Sequence, residues 1–256
     1  MQGFQKVVGH QEIITHLQNA ISMNKVSHAY LFGGESGSGK KMMASLFAMT
    51  LQCEKHGVEP CMECPSCKKA QSQNHPDIIY VKHEKPNTIS IDEIREQLIN
   101  DVMIKPYSSP YKIYIIDEAQ KLTLQAQNAL LKTIEEPPAY AVVMLLADNP
   151  DALLPTISSR CVQLNLKPVG DQLVKDYLMN EMHVPDYQAE VDASLAQGNI
   201  GKAERIARSP EYEETLESAL RMAKYADSMP LYEIVETIKK LTAEKDNIDD
   251  YFDIFS

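Results

Sequence analysis

The chain has 256 residues and a formal net charge of −11 at pH 7. That length allows one large domain or two smaller ones, each with its own hydrophobic core. The acidic balance argues against autonomous binding to duplex DNA, since DNA-binding domains usually carry a basic excess. No apolar run is long enough to cross a bilayer, and the N-terminus lacks the layout of a signal peptide. We therefore expect a cytoplasmic protein without membrane contact.

Hydrophobic patterning predicts strands that alternate with helices up to about residue 168. A helix is predicted over 11–21, and the apolar run 29–32 is a buried strand that leads into a glycine loop. Such alternation is typical of an α/β protein with a doubly wound parallel sheet. The other predicted strands are 78–81, 112–116, 142–146 and 162–166, and the later helices are one opened by Ser90 and Glu93, one over 124–135 and a short one over 153–158.

After Pro168 the strand signals end and only helices are predicted. We place one domain boundary near Pro168 and a second near Ser209. The predicted domains are 1–167, 168–208 and 209–256. The helices predicted beyond the first boundary are 171–182, 187–197, 202–207, 211–225 and 231–241.

The first strand leads into a loop that matches a phosphate-binding pattern at its first seven positions. Glycines let backbone N–H groups surround phosphate oxygens, the next helix presents its positive end, and a lysine reaches the terminal phosphates. The eighth position normally carries a Ser or Thr that binds Mg²⁺, but here it is a lysine. The candidate nucleotide-binding residues are Gly34, Glu35, Ser36, Gly37, Ser38, Gly39, Lys40 and Lys41.

Lys41 leaves two interpretations of this loop open. A lysine cannot ligate a cation, and it adds a second positive charge where the metal would sit. The loop is then either a nucleotide site with altered metal handling or a fold element that binds nothing tightly. We expect it to bind ATP or ADP, with a compromised Mg²⁺ site and weak or absent hydrolysis by the chain alone.

Two acids, Asp117 and Glu118, follow the predicted strand 112–116. Ligands of open parallel sheets bind at the carboxyl ends of strands. In P-loop enzymes an aspartate at this place holds Mg²⁺, and the next carboxylate can orient or activate the attacking water. We predict both acids as catalytic groups of the site. The alternative is a pair of solvated acids at a strand end.

Four cysteines follow one another with the spacing C-x7-C-x2-C-x2-C. In a reducing compartment such a cluster indicates a metal site rather than disulfides. Four thiolates close a tetrahedral shell around Zn²⁺ and leave no open position, which predicts a structural zinc site. An iron–sulfur cluster is the competing interpretation. The predicted ligands are Cys53, Cys61, Cys64 and Cys67.

Several short motifs occur in a characteristic order between about positions 4 and 207. They are Gly9-His10-Gln11, the strand 28–32 before the P-loop, the four-cysteine insertion after it, Asp117-Glu118-Ala119, the run 128–138, and Ser159-Arg160-Cys161. In this order they resemble the bacterial clamp-loader family of AAA+ proteins, which contains the delta prime, gamma and tau subunits of DNA polymerase III. The resemblance implies a P-loop AAA+ domain with a zinc-module insertion at 53–67, a small helical lid and a helical collar domain.

The resemblance also implies a partner complex and a mechanism. Clamp loaders are hetero-pentamers, here with gamma or tau and delta subunits, that use ATP to place a sliding clamp on primed DNA. In that family the arginine of the Ser-Arg-Cys triplet reaches the neighbour's nucleotide site, so Arg160 is implied to act in trans as an arginine finger. An altered P-loop beside an intact Arg160 favours an accessory, delta prime-like subunit.

The sequence departs from the family pattern at three places. The stretch 147–150 offers no clear sensor residue, and Lys202 stands where a nucleotide-sensing arginine is expected. The collar would extend beyond the segment 209–256, which predicts a truncated collar domain and places assembly in question.

Two other functions stay open at this stage. One is an autonomous AAA+ ATPase of the gamma type, against which Lys41 argues. The other is a zinc-dependent nucleic-acid-binding module with Lys55, Lys68 and Lys69 as its basic contacts, against which the acidic balance argues.

Overall fold

The computed structural model describes residues 3–225 and 229–243. The chain divides after Pro168 into two compact units, 1–168 and 169–256. Part of the predicted collar segment, at 226–228 and 244–256, lies outside the described residues. The further division of the second unit near Ser209 stays a prediction.

The first unit is built on a five-stranded sheet in which every neighbouring pair is parallel. The strand order is β2-β3-β4-β1-β5, so β1 lies in the interior between β4 and β5. The predicted parallel sheet is thereby confirmed, with small differences at the strand ends. The strands are β1 (Ala29–Gly33), β2 (Ile78–Tyr80), β3 (Lys112–Ile116), β4 (Ala141–Ala147) and β5 (Val162–Asn165).

Helices cover both faces of this sheet, and each face has its own hydrophobic core. Successive residues of a strand point to opposite faces. Accordingly, Tyr30 and Phe32 of β1 lie in one core while Leu31 lies in the other. The helices of this unit are α1 (Gln11–Ser22), α2 (Lys40–Leu51), α3 (Pro65–Gln71), α4 (Ile91–Ile94), α5 (Leu124–Glu135) and α6 (Pro155–Ser158).

The predicted start of the helix at Ser90 is confirmed, but its continuation differs from the prediction. The Ser90 hydroxyl accepts a hydrogen bond from Glu93 N, and the Glu93 carboxylate accepts one from Ser90 N, which forms a capping box. After α4 the chain continues as a π-helical turn over Arg95–Ile99. The Asn100 N–H there bonds to Arg95 O at 2.9 Å.

The second unit is helical throughout its described residues, as predicted. Its core contains small and branched apolar side chains, among them Val174, Leu178, Ala193 and Ile206. The predicted helices differ from the observed ones only at their ends. The helices are α7 (Asp171–Met182), α8 (Asp186–Ala196), α9 (Ile200–Arg208), α10 (Pro210–Tyr225) and α11 (Leu231–Ala243).

Candidate functional site

The glycine loop lies between β1 and α2, with the conformation that its glycines predict. Gly34, Gly37 and Gly39 have φ values of 145°, 85° and 94°, a region that side-chain-bearing residues rarely adopt. A Cβ on Gly34 would also lie 2.6 Å from the Leu166 carbonyl oxygen. The glycines are therefore required by the loop's backbone. Glu35, Ser36 and Gly37 form its exposed tip.

The side chain of Lys40 is buried against its own loop. Its Nζ donates hydrogen bonds to Gly34 O at 2.6 Å, to Glu35 O at 2.7 Å and to Asp148 Oδ1 at 2.7 Å. An ammonium has three donor hydrogens, so these three acceptors satisfy it completely. A phosphate group that binds Lys40 must take over one of these hydrogen bonds.

Asp148 is a member of this site to which the sequence assigned no role. It follows β4, which pairs with β1, so it reaches Lys40 across neighbouring strand ends. Gln120 fixes it: Gln120 Nε2 donates to Asp148 Oδ2 at 3.1 Å, and Asp148 N donates to Gln120 Oε1 at 3.2 Å. The available signal was an acid placed directly after a strand in a parallel sheet.

Lys41 and Asp117 form an ion pair. Lys41 Nζ lies 2.9 Å from Asp117 Oδ2, and both side chains are accessible to solvent. These are the two positions that hold Mg²⁺ in P-loop enzymes, one through a hydroxyl and the other through a carboxylate. In this chain the lysine ammonium lies where that aspartate would bind the cation. The positive charge of Lys41, which the sequence predicted at the metal position, therefore lies against Asp117, the carboxylate that would bind the metal.

Both oxygens of the Glu118 carboxylate have basic neighbours. Oε1 lies 2.5 Å from Lys121 Nζ, and Oε2 lies 3.4 Å from His83 Nε2. Glu118 itself has a left-handed backbone conformation with φ of 51°. A carboxylate that activates water needs an oxygen free to accept the water's proton. In this arrangement Glu118 is engaged in an ion pair with Lys121 and in a contact with His83 instead.

His10 connects the first motif of the chain to the glycine loop. It precedes α1 and has a left-handed backbone conformation with φ of 55°. Burial lowers the pKa of His10, and a hydrogen bond with the Ser38 backbone opposes this shift. The Ser38 hydroxyl is buried and has no hydrogen-bond partner among the described residues. The sequence drew attention to His10 but gave it no role.

The four predicted zinc ligands lie together. All of their sulfur atoms are within 4.8 Å of one another, and Cys61 Sγ and Cys67 Sγ are 3.9 Å apart. The edge of a ZnS₄ tetrahedron is about 3.8 Å, given Zn–S bonds of about 2.3 Å. The set therefore fits one tetrahedral ion. An iron–sulfur cluster would stand between the thiolates and separate them further.

The backbone around these cysteines favours thiolates. Sγ of Cys53 accepts from Cys61 N at 3.5 Å, Sγ of Cys61 from Cys64 N at 3.4 Å, and Sγ of Cys64 from Cys67 N at 3.3 Å. Hydrogen bonds from the backbone at Glu63 and Cys64 lower the pKa of Cys61 to about 6. Burial raises the pKa of Cys67. A bound cation would stabilise the thiolate of this buried cysteine.

Arg160 lies after α6, and its side chain is partly exposed. Nη1 donates to Thr156 O at 2.8 Å, and Nη2 lies 3.0 Å from Glu135 Oε1 at the end of α5. The exposed fraction of the arginine side chain is 40%. Within the described residues its hydrogen-bond and ion-pair partners belong to α5 and α6. The structure thus holds the guanidinium at the surface of its own unit.

Four further lysines singled out from the sequence have different surroundings. Lys202 is buried in the first turn of α9, where the Asn199 side chain caps the helix by accepting from Lys202 N at 3.0 Å. Lys55 is paired with Glu63 at 2.8 Å, which neutralises one of the predicted basic contacts beside the cysteines. Lys68 and Lys69 are exposed. Among the described helices, none has the length and apolar character needed to span a bilayer.

A family model described as DNA polymerase III, delta subunit matches residues 9–170. The matched range contains the P-loop, the cysteine cluster and Arg160. The chain belongs to this clamp-loader family. The family assignment therefore rests on the first unit of the fold, in which all of these residues lie.

Relatives in this clamp-loader family are of more than one subunit type. DNA polymerase III subunit tau of Bacillus subtilis is 38% identical over 208 residues, which are 79% of this chain and 36% of that protein. Subunit delta' of the same organism is 35% identical over 207 residues, which are 80% of this chain and 61% of that protein. The chain spans less than two thirds of either relative. The similarity therefore does not choose between subunit types.

A solved structure extends the comparison to the fold. The RuvB Holliday junction branch migration motor of Thermotoga maritima superposes with a TM-score of 0.54 at 16% sequence identity, covering 94% of this chain and 72% of that chain. At this identity the likeness shows the fold alone. The first unit is an α/β domain similar to AAA+ folds, and a helical region follows it.

Proposed function

We propose that this protein is an accessory subunit of a DNA polymerase III clamp loader. In this role it contributes little hydrolysis of its own and donates Arg160 to the nucleotide site of a neighbouring ATPase subunit. Its partners are gamma or tau and delta subunits in a hetero-pentamer, which acts on a sliding clamp and primed DNA. The division into an AAA+ domain, a lid and the beginning of a collar belongs to the same proposal.

The observation that carries this proposal is the ion pair between Lys41 and Asp117. Catalysis of phosphoryl transfer in P-loop enzymes depends on Mg²⁺, which neutralises charge between the transferring phosphates. The Lys41 ammonium lies 2.9 Å from the Asp117 carboxylate, so its positive charge opposes the binding of a divalent cation at the same place. Glu118 is likewise paired, with Lys121 and His83. In this arrangement both carboxylates that would hold Mg²⁺ and activate water have a lysine as ion-pair partner, which disfavours autonomous hydrolysis.

Arg160 supports the second half of the proposal. A finger that acts in another chain must be accessible on its own chain, and the Arg160 side chain is 40% exposed. Its ion pair with Glu135 is partly exposed, and such pairs contribute little stability, about 0–1 kcal/mol. The guanidinium can therefore exchange Glu135 for a phosphate group of a partner at small cost. An arginine supplied in trans stabilises the charge of the transferring phosphoryl group.

The decisive experiment places Arg160→Ala in a complex reassembled with an ATPase-competent partner subunit. We expect hydrolysis at the neighbouring site to fall by on the order of a thousandfold, the lower end of the range for arginine fingers. Assembly and the unfolding midpoint of the variant should stay unchanged. Arg95→Ala is the matched control, because Arg95 is an exposed arginine of the same unit. An assembled complex with an unaltered rate would remove the proposed role of Arg160.

A parallel measurement addresses an autonomous ATPase of the gamma type. Phosphate release by the isolated chain at saturating Mg-ATP should be near background. Appreciable turnover would replace the accessory role with a catalytic one. For a zinc-dependent nucleic-acid module the structure offers little support, since Lys55 is already paired with Glu63.

A further inference from the structure

We infer that the P-loop of this chain binds a nucleoside diphosphate without a divalent cation. The Lys41 ammonium takes the place of the cation, and Asp148 determines specificity by disfavouring a third phosphate. This inference rests on the part of the proposed function in which the loop is a nucleotide site. It adds the ligand class, the metal requirement and the residue that selects between ligands.

Lys41 places a fixed positive charge at the metal position. An ammonium has three donor hydrogens, and the pair with Asp117 at 2.9 Å uses one of them. The other two remain available to phosphate oxygens, and the Lys41 side chain is exposed enough to reach a ligand. A fixed cation of the protein thus replaces a recruited one. A divalent ion that binds the Asp117 carboxylate would lie close to that ammonium and be repelled by it.

Asp148 places a negative charge where a terminal phosphate would approach Lys40. In P-loop proteins the lysine that corresponds to Lys40 reaches the outermost phosphates. Here the Asp148 carboxylate lies 2.7 Å from its Nζ, and Gln120 fixes that carboxylate with two hydrogen bonds. A third phosphate beside Lys40 would lie against a held negative charge. Like charges at such distances repel strongly when no cation separates them.

The Lys41 ammonium and the Asp148 carboxylate act together to disfavour a triphosphate. In most P-loop sites Mg²⁺ screens the charge of the triphosphate, but here the Lys41 ammonium beside Asp117 opposes the entry of that ion. A diphosphate carries less charge than a triphosphate, so the Asp148 carboxylate beside Lys40 repels it less.

Titration calorimetry of the full chain with ADP and with ATP, each in EDTA and in Mg²⁺, tests this inference. We expect ADP to bind with the same affinity in both buffers. In EDTA, ATP should bind at least about tenfold more weakly than ADP. Three results would overturn the inference. They are ADP binding that requires Mg²⁺, ATP binding as tight as ADP binding, and no binding of either nucleotide.

Two variants assign the effects to residues. Asp148→Asn keeps an oxygen acceptor for Lys40 but removes the charge, so ATP affinity should rise about tenfold toward that of ADP. Asp151→Asn is the matched control, an exposed acid near the same strand end, and should change nothing. Lys41→Thr restores the hydroxyl and frees Asp117, so binding should become Mg²⁺-dependent. Unchanged nucleotide preference in Asp148→Asn, or unchanged metal independence in Lys41→Thr, would contradict the assigned roles.

These measurements separate the inference from the proposed function. They use the isolated chain and involve only residues of its own loop. The effect of Arg160→Ala is measured at a partner's site. A failure of diphosphate binding would therefore leave the arginine-finger proposal standing, and a failure of Arg160→Ala would leave the nucleotide result standing.

Discussion

At the residue scale, a buried histidine near the cysteine cluster has a defined protonation state. His75 Nδ1 accepts a hydrogen bond from Asp77 N at 3.1 Å, so the neutral ring carries its proton on Nε2. That atom faces Ser66 Oγ at 3.0 Å and Ser109 Oγ at 3.3 Å. Burial lowers the pKa of His75, and the charge of Asp77 only partly opposes this. The folded protein therefore holds this imidazole neutral.

His75 is expected to make stability depend on pH. Below the ordinary histidine pKa of about 6.5, the unfolded chain binds a proton that folded His75 does not. The stabilisation is complete above that pH and is lost as pH falls toward the lowered folded pKa. The slope from one proton is at most about 1.4 kcal/mol per pH unit. The free energy of unfolding, measured with denaturant between about pH 7.5 and about pH 5, should decline less steeply in His75→Asn than in the native chain.

His16→Asn is the control for this prediction, because His16 is exposed on α1. Its pH profile should run parallel to that of the native protein. His10 is partly buried and its pKa is also lowered, so His75→Asn should retain part of the native slope. Identical profiles for His75→Asn and the native chain would show that protonation of this residue is not linked to folding.

The sequence predicted candidate site residues but not the partners that they contact. The conflict between Lys41 and a metal could be predicted because Lys41 occupies the position of the P-loop pattern that normally carries the Mg²⁺-binding Ser or Thr. The contact of Lys40 with Asp148 was not, since it depends on β4 pairing with β1 across 108 positions of chain. The pairing of Arg160 with Glu135 likewise joins the segment after α6 to the end of α5. Short-range patterns name candidate residues, whereas their partners follow from the sheet order.

At the element scale, α3 illustrates a helix that hydrophobic periodicity did not reveal. It has seven residues, too few for an amphipathic repeat, and its N-cap is Cys64 instead of a residue preferred at that position. The Cys64 sulfur accepts from Cys67 N, so the cap and the predicted zinc ligand are the same atom. The start of this helix is therefore tied to the metal site.

Removal of zinc should consequently destabilise the first unit. With free zinc about a hundredfold above its dissociation constant, the loss amounts to about 2.7 kcal/mol. Metal analysis should find one zinc per chain, and EDTA should lower the thermal midpoint. Cys67→Ser should remove both responses. Cys161→Ser should not, since Cys161 lies outside the cluster and burial raises its pKa to about 11. An unchanged midpoint in EDTA for a zinc-loaded native chain would refute a structural role.

The strands were easier to predict than the helix at 91–99. Every residue of β1, β3 and β4 is buried, and such continuous apolar runs are typical of a parallel sheet covered on both faces. The helix opened by Ser90 was predicted from its capping box, which is a local signal. Its change to a π-helical turn over Arg95–Ile99 was not, because no local signal in the sequence distinguishes the two helix types.

At the scale of the whole molecule, the hydrophobic cores respect the division of the chain. The two cores of the first unit contain residues up to Leu166, and the third contains residues from Val169 onward. Each unit therefore has apolar burial of its own, which is what independent folding requires. The sequence predicted this boundary from the disappearance of strand signals after Pro168.

We expect calorimetry of the full chain to show two unfolding transitions. Chelation of zinc should shift only the one that belongs to residues 1–168, since all four cysteines lie there. Tyrosine fluorescence or hydrogen exchange can assign the transitions to the units. A single transition, shifted as a whole by EDTA, would show that the two units unfold as one cooperative body.

The helix α2 has a mechanical consequence for the first unit. It begins at Lys40 in the phosphate loop, and Cys53 follows shortly after it ends at Leu51. A helix of this length is a rod of about 18 Å, and most of its side chains are buried in the core. Because closely packed interiors are hardly compressible, a displacement at one end of such a helix is transmitted to the other end. With zinc held by the cysteines and a nucleotide in the loop, as we propose, α2 would connect the two sites rigidly.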